Sequence, residues 1–225
     1  MPCTQYQKSK CAGDSWYNLI VEYNKLASKE SIEKTTETLK ERGFQPVFVE
    51  NKEQALAKLK ELIPAGVSIM NGTSRTLEEI GLIDYLKAGD HGWNNLHDAV
   101  VKEDDPVKRS LLRRQAVVSD YYIGSVHALS ENGEIIIASN SGSQLPHIVF
   151  TSPNIIFVVG AQKIVSDLSE AQKRLEEYVI PLEDKRMLEA SQGVYGTALS
   201  KELILRYEKM GRKVLVIIVN EALGF

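Results

Sequence analysis

The sequence predicts an α/β fold: a mostly parallel sheet flanked by helices, with an N-terminal helix and a β-hairpin added to it. Three observations predict it. Residues 46–50 and 67–70 are short β-rich runs on either side of a helical stripe of Leu56, Leu59, Leu62 and Ile63. A strand–helix–strand unit of that kind implies parallel pairing. Residues 155–159 are apolar throughout, which suits a strand buried on both faces. Glu131-Asn132-Gly133 joins two further β-rich runs, and Asn-Gly is the strongest short hairpin signal a sequence offers.

The elements follow in order. Residues 1–13 are a polar leader expected to be flexible. Residues 14–225 form one domain, since no long linker, repeat or low-complexity tract divides them. Ile20, Tyr23, Ala27, Ile32, Thr35 and Leu39 space a helix over residues 14–42, stopped by Gly43, although the polar stretch 28–31 also permits two helices. After the first strand, Asn51 with Gln54 forms a box-like cap for the second helix, which Pro64-Ala65-Gly66 ends. Beyond the second strand, the loop 71–75 opens a short helix at 76–81, and residues 88–102 read as irregular. Asp105-Pro106 is a cap followed by a first-turn proline, starting a helix that runs to Ser119. Residues 121–129 and 134–138 are the hairpin strands, and a small-residue loop, 139–144, follows. Asp167 with Glu170 caps a helix striped by Leu168, Ala171, Leu175 and Tyr178. Residues 180–197 read as loop. Leu203, Leu205 and Tyr207 alternate as a strand, paired to residues 214–219 through 209–212.

Composition bounds the function. With 225 residues, 43% hydrophobic and 25% charged, the chain supports one large core. Its 27 basic and 30 acidic side chains give a net charge of −3, without the basic surplus that nucleic-acid backbones require. The longest apolar run, residues 214–219, falls far short of the ~20 residues that cross a bilayer, and residues 1–10 lack a signal-peptide core. A cytoplasmic protein with no membrane association is therefore expected. Cys3 and Cys11 read as reduced thiols in the leader, because two cysteines supply too few ligands for tetrahedral zinc or an iron–sulfur cluster. His91, His97, His127 and His147 lack the spacing of a helical zinc site. No cofactor and no metal are expected.

Ligands of open α/β sheets sit beyond the carboxyl ends of the strands. Three strand exits carry small or polar residues: Asn71, Gly72, Thr73 and Ser74; Gly160, Gln162 and Lys163; and Asn220-Glu221. Glycine admits close backbone approach and the hydroxyls offer hydrogen bonds, so these exits are candidates for holding an anion. The alternative for the first exit is a Gly-Thr-Ser turn that merely caps a helix. The loop of Ser139, Ser141, Gly142, Ser143 and Gln144 is expected to close over the site. Glu131, before a tight turn, is either a nucleophilic carboxylate or a solvated hairpin residue. His127 is either an acid–base residue or a hydrogen-bonded, half-buried histidine. Arg109 and Arg113 share a helix face, but Glu103, Asp104 and Asp105 offset them and a solvated face is expected. No Walker lysine motif, dinucleotide fingerprint or nucleophile-elbow serine occurs.

The run from Ser119-Asp120-Tyr121-Tyr122-Ile123-Gly124-Ser125 through Val126-His127-Ala128-Leu129-Ser130-Glu131-Asn132-Gly133 resembles the core signature of the lactate-utilisation (LUD) domain family. Ile156-Phe157-Val158-Val159-Gly160-Ala161-Gln162-Lys163, Gly72-Thr73-Ser74-Arg75-Thr76 and the ending Asn220-Glu221-Ala222-Leu223-Gly224-Phe225 strengthen it. The likeness is to the branch containing lactate-utilisation protein C. It implies kinship with the sugar-phosphate isomerase and coenzyme A transferase folds, and a role in lactate or organic-acid metabolism beside redox partner proteins. Iron–sulfur cysteine motifs of the partner type are absent here. Ser130-Glu131-Asn132-Gly133 is also similar to a coenzyme A transferase signature whose glutamate forms an acyl thioester, though Glu134 departs from it. Three readings follow: a binder of a small anionic metabolite, an acyl or coenzyme A transferase using Glu131, and a non-catalytic partner of a redox complex. A homodimer is the default oligomer.

Overall fold

The computed structural model describes residues 23–209 and 211–225. Cys3, Cys11, the leader and the beginning of the expected N-terminal helix lie outside the described residues. Within them, helix α1 (Lys29–Glu41) starts at Ser28, whose hydroxyl accepts the Ser31 N–H, so the polar stretch 28–31 is a helix start.

A six-stranded sheet forms the centre, in the order β1 (Gln45–Val49), β10 (Lys213–Val219), β7 (Asn154–Gly160), β4 (Tyr121–Gly124), β2 (Ser68–Asn71) and β3 (Asn94–Asn95). Every pair in it is parallel. A second sheet has the order β8 (Ile164–Val165), β5 (Ala128–Ser130), β6 (Ile135–Ser139) and β9 (Lys201–Leu205), with the predicted hairpin, β5–β6, at its middle.

Alternation along the strands assembles three cores. On β7, Ile155, Phe157 and Val159 face one side with Val214, Val216 and Ile218 of β10; Ile156 and Val158 face the other with Leu215 and Ile217. Helices α2 (Lys52–Leu62), α3 (Arg75–Glu79) and α4 (Leu82–Ala88) cover the second side through Leu59, Leu77 and Leu82. Helix α1 and the inner face of the second sheet, Leu129, Ile135 and Ile137, cover the first. The outer face of that sheet, Ala128, Ile136 and Ala138, packs under α7 (Leu168–Arg174) and the single wide turn Leu175–Val179.

Four expectations are corrected. Residues 121–129 are not one strand: the chain leaves the central sheet at Gly124 and enters the second sheet at Ala128, because Tyr122 folds against Gly124, where a Cβ would lie 2.8 Å from its ring. Residues 88–102 contain β3 and α5 (Leu96–Val101), with Asn95 as cap accepting the Asp98 N–H. Residues 180–190 are helical, α8 (Ile180–Ala190), continuing the helical run through the wide turn Leu175–Val179, which precedes Pro181. Finally, β9 pairs with β6 rather than with β10. The apolar β10 is buried on both faces and takes an interior place, while the half-exposed β9 takes an edge. Helix α6 (Pro106–Gln115) begins as expected, with Asp105 accepting two N–H groups, and stops four residues earlier than Ser119.

Candidate functional site

The chain leaving β2 goes to α3 on one side of the central sheet, and the chain leaving β4 goes to the second sheet on the other. Adjacent strands whose exits diverge open a crevice at their carboxyl ends. A cleft of about 790 Å³ lies there, within the size range of small-molecule sites. Its floor is Met70 to Thr76 and Tyr122 to His127; its walls are α5–α6, α8 and the loop from Ser139 to Gln144.

Of the residues singled out from sequence, Asn71, Gly72, Thr73, Ser74, Ser139, Ser141, Ser143, Gln144 and Lys163 line this cleft. Gly72 is required for close approach: a Cβ there would lie 2.8 Å from the Tyr122 hydroxyl and 3.2 Å from Gln144 Oε1. Ser74 caps α3, its hydroxyl accepting the Leu77 N–H at 3.4 Å. Asn71 is buried and its Oδ1 has no hydrogen-bond partner, a state that costs about 1–3 kcal/mol if left unmet. In the loop, Ser139 accepts the Gly142 N–H, Gln144 donates to Ala138 O, and Ser143 accepts from Arg113 at 2.8 Å. Gly142 itself is outside the lining and sits under the Lys201 stem.

Gly160, Gln162 and Glu131 are not brought to the cleft. A side chain at Gly160 would collide with Gln162 and the Glu221 carbonyl; Gln162 donates to Leu223 O at 2.9 Å, so this pair fastens the C-terminal segment behind the site. Glu131 lies against α1, accepting from the Ser31 hydroxyl at 2.7 Å and from Lys34 at 2.9 Å. Those bonds, the serine's first, hold its carboxyl below the usual range. The next carboxylate, Glu134, is buried, accepts from the Ser130 hydroxyl, and pairs with Arg42 at 3.2 Å. Ser130-Glu131-Asn132-Gly133 is thus a hairpin turn anchored to α1 at two points.

Lys163 is buried at the cleft floor, its ammonium donating to Thr76 Oγ1 at 2.9 Å, Ser125 Oγ at 3.2 Å and Val126 O at 3.2 Å. Burial, and then the nearby Arg174, push it down to about 7. His127 accepts the Ala138 N–H on Nδ1 at 3.0 Å. Because a backbone N–H only donates, this fixes the ring as the neutral tautomer with its proton on Nε2. Burial first, and then Lys163 and Arg174, depress it to about 3. Arg174 is fully buried, donates to His127 O, and faces the rings of Tyr23 and Tyr178. His147 stacks on Tyr122 with centroids 4.9 Å apart and has Ser119 and Ser152 hydroxyls on Nδ1; burial lowers it to about 4.

The residues missed from sequence are the cleft's arginines. Arg75, Arg109, Arg113 and Arg186 line it with Lys163, against one acidic side chain, Glu183. Arg186 is engaged by Glu183 through two bonds and Arg75 by Glu78, while Arg109 and Arg113 have no carboxylate partner among the described residues. Arg109 and Arg113 are exposed, as the expected solvated face requires, and that face also borders the cleft. Their spacing of four was visible, but which side of α6 would meet the sheet was not. Among the described residues no three His, Cys, Asp or Glu side chains group as metal ligands, and no helix is long and apolar enough to cross a membrane.

Compared with known families, the sequence matches the LUD domain over residues 32–219. The chain belongs to the LUD domain family. The match spans β1 to the end of β10, so both sheets and all the cleft's lining except Phe225 fall within it. A DUF162 family protein from Deinococcus radiodurans, known from its crystal structure, is similar to this LUD chain at 15% identity and a TM-score of 0.52, covering 87% of this chain and 100% of that one. That likeness extends the fold to a second protein. Ribose 5-phosphate isomerase A from Methanocaldococcus jannaschii aligns at 9% identity with a TM-score of 0.37, covering 76% of this chain and 96% of that one. Comparison with curated protein sequences finds no match.

Proposed function

We propose that this LUD-domain protein binds a small organic anion, of the carboxylate or phosphorylated-metabolite kind, in the cleft at the carboxyl ends of β2 and β4. The observation that carries the reading is the charge of the lining. A chain with a net charge of −3 gathers four arginines and Lys163 around one crevice with a single acidic side chain. Two of those guanidiniums, Arg109 and Arg113, are left without acidic partners among the described residues. A planar guanidinium matches a carboxylate or phosphate through paired hydrogen bonds, and is chosen for that geometry more than for its charge. Gly72 keeps the floor open beside them, and the unpaired acceptor of Asn71 suits a ligand hydroxyl. A place in lactate or organic-acid metabolism, with redox proteins as partners, accords with the family and with this ligand class.

Calorimetric titration with a panel of carboxylates and sugar phosphates tests the proposal. Saturable binding is expected for at least one of them, weakened about tenfold or more when Arg109 and Arg113 are both changed to alanine, as loss of charge-assisted hydrogen bonds requires. A panel without saturable heat, or affinity indifferent to the double change, contradicts it. Glu131 lies outside this cleft, bonded to Ser31 and Lys34, which favours the binding reading over a transferase using Glu131.

A further inference from the structure

We propose that His127 is the residue by which the cleft selects its anion, and that the anion carries a carbonyl oxygen which accepts the His127 Nε2–H. The inference rests on the anion-binding reading of the cleft and adds a chemical group to the ligand.

The argument is geometric. The Ala138 N–H occupies Nδ1 at 3.0 Å, so the ring's one proton is on Nε2. Ala138 belongs to β6, paired on both sides by β5 and β9, so the donor that fixes the tautomer is held by a sheet interior. The His127 carbonyl is held from behind by the fully buried Arg174. The ring is therefore fastened at its backbone and at one nitrogen. Its other nitrogen has no protein partner among the described residues, and His127, partly exposed, is one of the cleft's lining residues. A fixed donor facing a ligand-sized space calls for an acceptor.

Acceptor oxygens come as hydroxyls, carboxylates and carbonyls, and the surroundings choose among them. Arg174 stands beside the ring as a cation and Lys163, held at about 7, as a partly protonated one, with Glu79 the acidic group on the other side of the balance at Lys163. An oxygen placed at Nε2 is thus in a positive field, which favours a strongly polarised acceptor over a hydroxyl and an anionic oxygen most of all. The anionic end of the ligand is drawn by Arg109 and Arg113 on the α6 wall, leaving the uncharged but strongly polar carbonyl for the neutral imidazole. A neutral imidazole donor in such a field polarises a carbonyl without giving up its proton.

Matched pairs of acids test it: 2-oxoglutarate against glutarate and pyruvate against propionate, each differing by one carbonyl oxygen. Calorimetry of the full chain is expected to show the oxo acid of at least one pair bound about tenfold more tightly, the span of one good hydrogen bond. The preference is expected to vanish in His127→Leu and to survive in part in His127→Gln, which keeps an N–H donor. Nitrogen NMR of the wild-type histidines supplies a readout that needs no variant. His127 should carry its proton on Nε2 at neutral pH, and that signal should move with the oxo acid and not with its partner. Equal binding of both members of each pair leaves the anion-binding reading standing and overturns the role of His127. A preference unchanged in His127→Leu, or a proton found on Nδ1, overturns it too. If neither pair binds, the role of His127 falls, and the wider panel of carboxylates and sugar phosphates decides the anion-binding reading.

Discussion

His147 and His127 show how much a single titrating side chain can decide in this fold. Burial keeps both neutral, His147 at about 4 and His127 at about 3, against an ordinary value near 6.5. Above pH 6.5 they are neutral folded or unfolded, and their burial costs nothing electrostatically. As pH falls from 6.5 toward 4 the unfolded chain takes up protons that the folded chain refuses, so stability is progressively lost. Urea unfolding across that window should show a steep fall, and His147→Gln should flatten it, with one such site accounting for on the order of 3 kcal/mol. A slope identical in wild type and variant contradicts the buried, neutral state of His147. Glu131 makes the opposite case. Its bonds to Ser31 and to the half-exposed Lys34 are worth about 1–3 kcal/mol together, so Glu131→Ala should cost stability of that order, leave ligand binding intact, and no acyl adduct should form on Glu131 with an acyl-coenzyme A. Retention of binding measured by calorimetry, with adduct formation followed by mass spectrometry, checks both statements. The residue was conspicuous in sequence because a good turn and a transferase signature share the same four letters; only the position of α1 shows that the carboxylate is spoken for.

The elements that build the cleft were legible to different degrees. Strands β2 and β7 and the caps Asn51, Ser74, Asp105 and Asp167 were readable because each depends on residues within a few positions of it. The pairing of β9, the break after Gly124 and the helix α8 were not, because each is decided by what packs against it. In β9 the alternation fitted a hairpin with β10 equally well. The choice went to β6 because β10 has two apolar faces to bury. Helix α8 has no buried residue, so its sequence lacks the stripe that identifies a helix, yet Ile180, Glu183 and Met187 line the cleft. The first strand exit is the element most sensitive to a single atom. Gly72→Ala should push Tyr122 and Gln144 out of contact at a cost of about 1–3 kcal/mol, and should weaken anion binding in parallel. Thermal unfolding together with titration checks this; a variant of wild-type stability and affinity means the floor is looser than its geometry shows.

At the scale of the whole molecule, the two sheets share one core. Leu129, Ile135 and Ile137 of the second sheet pack with Phe157 and Val216 of the first, and the chain passes between sheets at Gly124 and Ile164. A core shared in this way makes the domain a single cooperative unit, so calorimetric unfolding should give one transition; two separated transitions would contradict the shared core. The same arrangement explains the cleft. It exists because the exits of β2 and β4 go to opposite sides of the central sheet, and it is positive because α6 turns Arg109 and Arg113 toward that gap. Backbone NMR shift mapping during titration with an organic anion that binds tests this central claim most directly. The account predicts shifts concentrated at Asn71, Gly72, Thr73, the loop from Ser139 to Gln144, and Arg109 to Arg113. Shifts confined to another face of the molecule, or spread without focus over the surface, would contradict it.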